Sequence, residues 1–179
     1  GAAGLGACLL GASGCTGLAE LDRELEQSQD KRDDKTRLAH YEETAQTYYD
    51  GGRYTQSAMQ WRKVLEIEPD RPKANWGLAK SLAMVGTVPA LREAEQIFAR
   101  IQGWSWTHPT LGDRRHEVLK DFAEVYVALA DYFDRDVRAL QRRLESPDAD
   151  PATTREQLRT QAGKRNELLN KAIPLFDQV

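Results

Sequence analysis

Histidine is the first candidate for acid–base or metal chemistry, and the chain has three, His40, His108 and His116. None of them has a cysteine or carboxylate beside it at the spacing of a metal site. The sequence also contains no H-E-x-x-H and no G-x-S-x-G motif. We therefore expect a protein that is not an enzyme, with no catalytic residues, no metal and no cofactor.

Asp131, Asp134 and Asp136 are the second cluster that could bind an ion. A calcium loop needs a glycine turn and a closing glutamate at fixed offsets, and both are missing here. Glycine pairs that could bind phosphate occur only in the first residues, with no strand before them. A solvated acidic helix face is the better interpretation of the three aspartates.

Length and composition favour a helical interaction protein. The 179 residues are enough for one domain with a core, and 30% of them are charged. The net charge is −3, so the chain has no basic excess to hold phosphate backbones. Prolines stand mostly at the ends of apolar patterns, and β-branched runs are absent. We expect an all-α fold, with neither nucleic acid nor a small-molecule substrate as a ligand.

Both cysteines lie in an apolar segment that is rich in small residues, at 1–17. The run Leu9-Leu10-Gly11-Ala12-Ser13-Gly14-Cys15-Thr16 resembles the end of a bacterial lipoprotein signal peptide. The resemblance implies a covalent lipid on Cys15, with Cys8 as the alternative site, and anchoring to the outer membrane on its periplasmic side. The other interpretation is a disulfide, or two idle cysteines, beside a hydrophobic leader. Residues 18–37 are densely charged and are interpreted as a linker.

Two apolar stripes at helical spacing flank the turn Asp50-Gly51-Gly52. The first stripe is Tyr41, Thr44, Ala45 and Tyr48, and the second is Tyr54, Ser57, Trp61 and Val64. Pro69 is expected to stop the second helix. The pattern predicts a helical hairpin in which small side chains let two backbones approach and aromatic side chains fill the remaining space.

The first stripe recurs twice. A step of 34 residues reaches Asn75, Leu78, Ala79 and Leu82, and a third copy is Leu119, Phe122, Ala123 and Tyr126. In the second helix of each hairpin, the expected stripe is Ala94, Phe98 and Ile101 for the second unit and Ala172, Phe176 and Val179 for the third unit. We expect an insertion in the turn near Thr87-Val88-Pro89. In the third unit we expect a helix that is extended to Leu144, a cap at Thr153 or Thr154, and a kink at Pro174.

This spacing resembles the tetratricopeptide repeat (TPR). The resemblance implies a helical-hairpin solenoid over 38–179, with repeats at about 38–71, 72–109 and 114–179 and the last one enlarged. The chain has no initiator methionine, and its last helical pattern stops at Val179 without a cap. We therefore expect it to be part of a longer protein.

In this family the first helix of each repeat lines an inner groove. The register implies a partner-binding groove that contains Glu42, Gln46, Tyr49, Lys73, Trp76, Lys80, Lys120 and Glu124. An exposed Trp76 between Lys73 and Lys80 would suit an acidic peptide. In the alternative interpretation, Trp76 packs between the first helices of repeats one and two.

Trp104 and Trp106 lie between the second and third units. They are expected to hold an enlarged loop against the core, and a sugar-stacking site is the alternative.

The combined expectation is a non-catalytic scaffold, anchored by lipid, that supports a multi-protein envelope complex. Pilotins of secretin rings and the TPR lipoprotein of the outer-membrane barrel assembly machinery have a similar layout. One alternative is an accessory structural subunit of a membrane enzyme or motor complex, which large apolar patches on the third hairpin would favour. Another is a cell-wall ligand-binding protein that uses Trp104 and Trp106.

Overall fold

The computed structural model describes residues 33–104 and 109–179, with only the backbone at 109–110. The described residues form helices and contain no strand. The helices are α1 (33–50), α2 (Tyr54–Ile67), α3 (Pro72–Val85), α4 (Val88–Gly103), α5 (Pro109–Gly112), α6 (Arg115–Leu144) and α7 (Pro151–Phe176). The chain divides into two units, Gly1–His40 and Tyr41–Val179, and every contact discussed below lies within the second.

The predicted turn between α1 and α2 is confirmed. Gly52 has φ 71°, a left-handed conformation that glycine adopts without steric cost. Its N–H donates to the carbonyl of Tyr49 at 3.0 Å, and the N–H of Arg53 donates to the carbonyl of Tyr48 at 2.8 Å. These bonds satisfy carbonyls that the end of α1 leaves free. The next helix, α2, ends at Ile67, just before Pro69.

The expected insertion after α3 does not lie in the turn. The connection is only Gly86, at φ 71°, and Thr87, whose hydroxyl accepts a hydrogen bond from the N–H of Ala90. Val88 and Pro89 are already the first residues of α4. Thr87 is a good N-cap, and proline is pre-organised for the first turn, so the additional residues lengthen the helix instead of the loop.

Small residues let α1, α2 and α3 approach closely, as the stripes predicted. The buried hydroxyl of Ser57 donates to the backbone carbonyl of Ala45 at 2.8 Å and lies 2.9 Å from the hydroxyl of Ser81. At Gly77 the ring of Trp61 packs directly against the backbone of α3. A Cβ added at Gly77 would lie 2.3 Å from the Cε2 atom of Trp61. This contact therefore requires glycine.

Three aromatic rings join α4 to α6. Phe98 and Phe122 stack with their centroids 5.4 Å apart, and the centroid of Tyr126 lies 4.8 Å from that of Phe122. All three side chains are buried. They are members of the second-helix stripe of repeat two and the first-helix stripe of repeat three, so the sequence placed these core positions correctly.

The last hairpin consists of the long helices α6 and α7, and two details of its prediction are wrong. The N-cap of α7 is Asp150, whose carboxylate accepts from the N–H of Ala152 at 3.1 Å, instead of Thr153 or Thr154. Pro151 occupies the first turn, so the cap lies directly before it.

The packing face of α7 also differs from the predicted stripe. Phe176 and Val179 are exposed, and the buried side chains are Thr154, Leu168, Ala172 and Leu175. Ala172 shares its buried face with Leu168 and Leu175, which lie four residues before and three residues after it. Phe176 therefore lies on the neighbouring, exposed face. The helix continues past Pro174 to Phe176, and the kink at Pro174 stays a prediction.

We expect Gly77→Ala to lower the free energy of unfolding by about 1–3 kcal/mol, because the new methyl group would overlap the rigid ring of Trp61. The matched control is Gly163→Ala within α7, where no atom outside the adjoining residues and local helix backbone lies within 4 Å of the added Cβ. The control should be neutral or more stable by about 0.5–1 kcal/mol. Urea denaturation measures both values. An equal gain in stability for both variants would refute the close contact.

Candidate partner-binding groove

Helices α1, α3 and α6 together form a concave pocket of about 190 Å³. Tyr49, Lys80 and Glu124, which were predicted to line one groove, meet here. The complete lining is Tyr49, Lys80, Ala83, Met84, Asp121, Glu124, Val125 and Ala128. Residues separated by many positions in the chain therefore share one site, and this site is the candidate interaction surface.

Trp76 does not lie in the open groove. Its side chain is only 5% exposed, and its Nε1 donates to Oδ2 of Asp121 at 2.8 Å. The guanidinium of Arg114 lies 4.4 Å from the centroid of the indole, and the ammonium of Lys80 lies 5.2 Å from it. The expectation of an exposed tryptophan is wrong. The indole is packed, as the alternative interpretation expected, but the contacts above join α3 to α6 and not to α1.

The two lysines beside Trp76 already have partners. Lys73 donates to Glu42 at 2.7 Å, and Glu42, whose side chain is only 11% exposed, also accepts from Arg71. Lys80 lies 3.9 Å from the carboxylate of Asp121 and 5.3 Å from the ring centroid of Tyr49. Both lysines on which the acidic-peptide interpretation was based are therefore paired within the protein.

The remaining predicted groove residues are on the surface. Gln46 donates to Asp50 of its own helix at 2.8 Å. Lys120 lies 3.8 Å from Glu124, and both side chains are more than half exposed. Exposed pairs of this kind contribute little free energy, so a partner can replace either member at low cost.

Asp121 is the more buried of the two carboxylates in the pocket. Burial raises the pKa of this carboxyl, and the nearby Glu124 and Glu117 raise it further, while the hydrogen bond from Trp76 and the charge of Lys80 lower it. Burial also raises the pKa of Tyr49, and Asp121, Asp50 and Glu124 act in the same direction. The hydroxyl of Tyr49 therefore lies in a negative potential.

Asp121 and Arg114 were missed at the sequence level. Asp121 follows Lys120 and has Glu117 and Glu124 at helical spacing, so the sequence indicated an ordinary charged helix face and gave no signal of its burial. Arg114 precedes α6 and gave no periodic signal, so only the folded structure reveals its contact with Trp76.

Some predicted positions lie outside the described residues, namely Cys8, Cys15, Trp106 and His108. Trp104 is partly buried, and the guanidinium of Arg100 lies 6.0 Å from its ring centroid. The loop-holding and sugar-stacking interpretations of Trp104 and Trp106 both stay predictions.

Across the described parts of the chain, no three histidine, cysteine, aspartate or glutamate side chains are grouped as a metal site would require. Among the helices at 33–104 and 109–179, none combines the length and apolarity needed to cross a bilayer.

We expect Asp121→Asn to gain stability relative to the wild type as the pH rises. The folded-state pKa of Asp121 is raised above its ordinary value of 3.8. Its contribution to wild-type stability is therefore greatest below that value and declines as the pH rises through the folded-state pKa. Asparagine keeps an acceptor for the N–H of Trp76 and has no charge to bury. Denaturation at pH 3, 5 and 7 measures the difference in unfolding free energy.

The control for this series is Asp121→Ala, which leaves the buried N–H of Trp76 without its acceptor. It should lose about 1–3 kcal/mol of stability relative to Asp121→Asn at every pH. If the difference between Asp121→Asn and the wild type does not change with pH, or changes in the opposite direction, the raised pKa is refuted.

No protein-family model matches the chain, and no curated protein or solved structure matches it at a significant level.

Proposed function

We propose that the chain is a TPR-like helical-hairpin solenoid that serves as a non-catalytic scaffold for protein–protein interaction. In this proposal it is anchored by a lipid on Cys15, or alternatively on Cys8, to the outer membrane facing the periplasm. It supports the assembly or stability of a multi-protein envelope complex. Its partners are other proteins of that complex and the membrane that holds its anchor.

One observation carries the scaffold proposal. Tyr49, Lys80 and Glu124 were assigned to one groove from the repeat register, and they line one pocket between α1, α3 and α6. A solenoid of hairpins lines its concave side with the first helix of each repeat, which provides an extended surface for a partner. The packing of α2 with α3, α3 with α4, α4 with α6 and α6 with α7 is compatible with such stacking.

The membrane anchor rests on the sequence alone. Each buried CH₂ group of an acyl chain contributes roughly 0.8 kcal/mol, and one chain gives only marginal binding. The lipoprotein family attaches three chains to its cysteine, so the resemblance implies stable anchoring. The charged segment predicted at 18–37, whose last five residues belong to α1, would then separate the anchor from the folded domain.

To test the groove, we propose a mild-detergent pull-down of the full-length protein from its own cells. Ala83→Arg places a long side chain in the pocket, and we expect it to lose the envelope proteins that the wild type retains. Ala99→Arg makes the same exchange at an exposed position of α4 and should retain them. If both variants retain the same proteins as the wild type, this pocket is not the interaction surface.

Mass spectrometry of the N-terminal peptide in the same preparation tests the anchor. A triacylated Cys15, lost in Cys15→Ser, would support it, and lipid on Cys8 would support the alternative site. An intact leader or cytoplasmic partners would overturn the proposed location and leave the groove result unaffected.

A second candidate function is an accessory structural subunit of a membrane enzyme or motor complex. It is favoured by an apolar stripe on the outer side of α7, where Leu169, Ile173 and Phe176 are 36%, 56% and 43% exposed. The three side chains follow one another at helical spacing and share a face of the helix. Such a stripe is typical of a contact with another protein.

Ile173→Lys separates the two candidates. If α7 is built permanently into a complex, this variant should leave the complex, because it buries an unpaired charge in an apolar interface. Ala83→Arg should remain in it, because Ala83 would lie outside that interface. The pull-down described above detects the difference. The opposite pattern, with only Ala83→Arg released, would refute the accessory-subunit candidate.

A further inference from the structure

The charge that remains available in the groove is negative. The charged residues that line the pocket are Lys80, Asp121 and Glu124. The lining therefore has one positive and two negative charges. Lys80 is close to Asp121, at 3.9 Å, and to the rings of Tyr49 and Trp76. Its charge is therefore used inside the protein and is not offered to a partner.

Asp121 retains capacity to accept hydrogen bonds. Within the described residues, its hydrogen bond from Trp76 and its ion pair with Lys80 both involve Oδ2, and the charge of Arg114 also acts on the carboxylate. Its other oxygen, Oδ1, has no such partner, and a carboxylate can accept at both oxygens. Glu124 adds a second carboxylate, and its one ion pair among the described residues, with the exposed Lys120, is long at 3.8 Å and weak.

The surroundings strengthen this negative potential. Asp50, Asp121 and Glu124 all act on Tyr49 in the same direction and favour its neutral hydroxyl over the phenolate. Glu117 also lies near Asp121, but its carboxylate is paired with the guanidinium of Arg114. A cation that enters the pocket is therefore attracted by the carboxylates of Asp121 and Glu124 at once.

The pocket also has an apolar side. Val125 and Ala128 of α6 and Ala83 of α3 form part of its wall, and Met84 is a large apolar side chain that is 50% exposed. Methionine adapts its shape to different apolar partners. A ligand that combines a positive charge with a neighbouring apolar group would match both sides.

We propose that this pocket binds an arginine or lysine side chain of a partner protein, whose neighbouring apolar residue packs against Met84. The proposal rests on the scaffold function above and specifies the chemistry of the partner. The cation contacts Oδ1 of Asp121 and the carboxylate of Glu124, and its aliphatic stem lies along Tyr49. Arginine fits best, since its planar group offers several donors to two carboxylates.

The test uses the full-length protein and three capped peptides, Ac-Ala-Leu-Xaa-Leu-Ala-NH₂, in which Xaa is Arg, Gln or Glu. Two-dimensional NMR titration of ¹⁵N-labelled protein reports both affinity and location. We expect the arginine peptide to shift the signals of Tyr49, Met84 and Asp121. It should bind roughly ten-fold more tightly than the glutamine peptide, the factor expected for hydrogen bonds to charged groups. The glutamate peptide should bind most weakly.

A double variant, Asp121→Asn with Glu124→Gln, should remove the preference for arginine over glutamine and keep the hydrogen bond from Trp76. The matched control is Asp131→Asn with Glu145→Gln, which removes the same two charge types from exposed positions of the same chain. The control should keep the preference, because its carboxylates do not line the pocket.

Equal or tighter binding of the glutamate peptide would overturn the proposal, as would a preference that survives in the double variant. Loss of the preference in the control as well would also overturn it, since the effect would then come from overall charge. If no peptide shifts these signals while Ala83→Arg still releases partners in cells, the basic-residue proposal fails and the scaffold function stands. If Ala83→Arg releases nothing, this pocket is not the interaction surface and the scaffold function that rests on it fails.

Discussion

The contact between Trp61 and Gly77 is the constraint on which the packing of α3 depends. Because residue 77 has no side chain, the indole of α2 can lie against the backbone of α3. This fixes the rotation of α3 about its axis, and consecutive helical positions then face different neighbours. Trp76 faces α6, where it meets Asp121, and Lys80 faces the groove. The absence of a side chain at Gly77 thus determines which residues of α3 face α2, α6 and the groove.

The hydrogen bond between Trp76 and Asp121 explains why the groove differs in sign from its sequence-based interpretation. The segment around Trp76 is locally basic, but Lys73 is neutralised by Glu42 and Lys80 lies close to Asp121. The two carboxylates of the pocket, Asp121 and Glu124, belong to α6, which lies far along the chain. The charge of the pocket is therefore set by pairing between helices, and a charge count along one helix gives the wrong sign.

The stripes and the first turn were predictable because helical periodicity and left-handed glycine geometry are local properties. The burial of Trp76 was not, since it depends on a helix about forty-five positions away. Three details of the prediction are wrong for local reasons. The residues expected as an insertion in the turn lengthen α4, which begins directly after Thr87. Asp150 instead of a threonine caps α7, and Phe176 is exposed instead of buried. In each case two local interpretations fitted the spacing, and packing or capping selected between them.

The distal half of the α6–α7 hairpin buries few side chains. Beyond Ala130, the only buried side chain of α6 is Val137, and before Leu168 the only one of α7 is Thr154. The pocket and the aromatic junction with α4 use the proximal half alone. Seven residues added to each helix would lengthen both by about 10 Å and preserve the facing sides. The connection at Ser146–Asp150 is therefore where the chain can accommodate insertions, deletions or a fused tag without disturbing the groove.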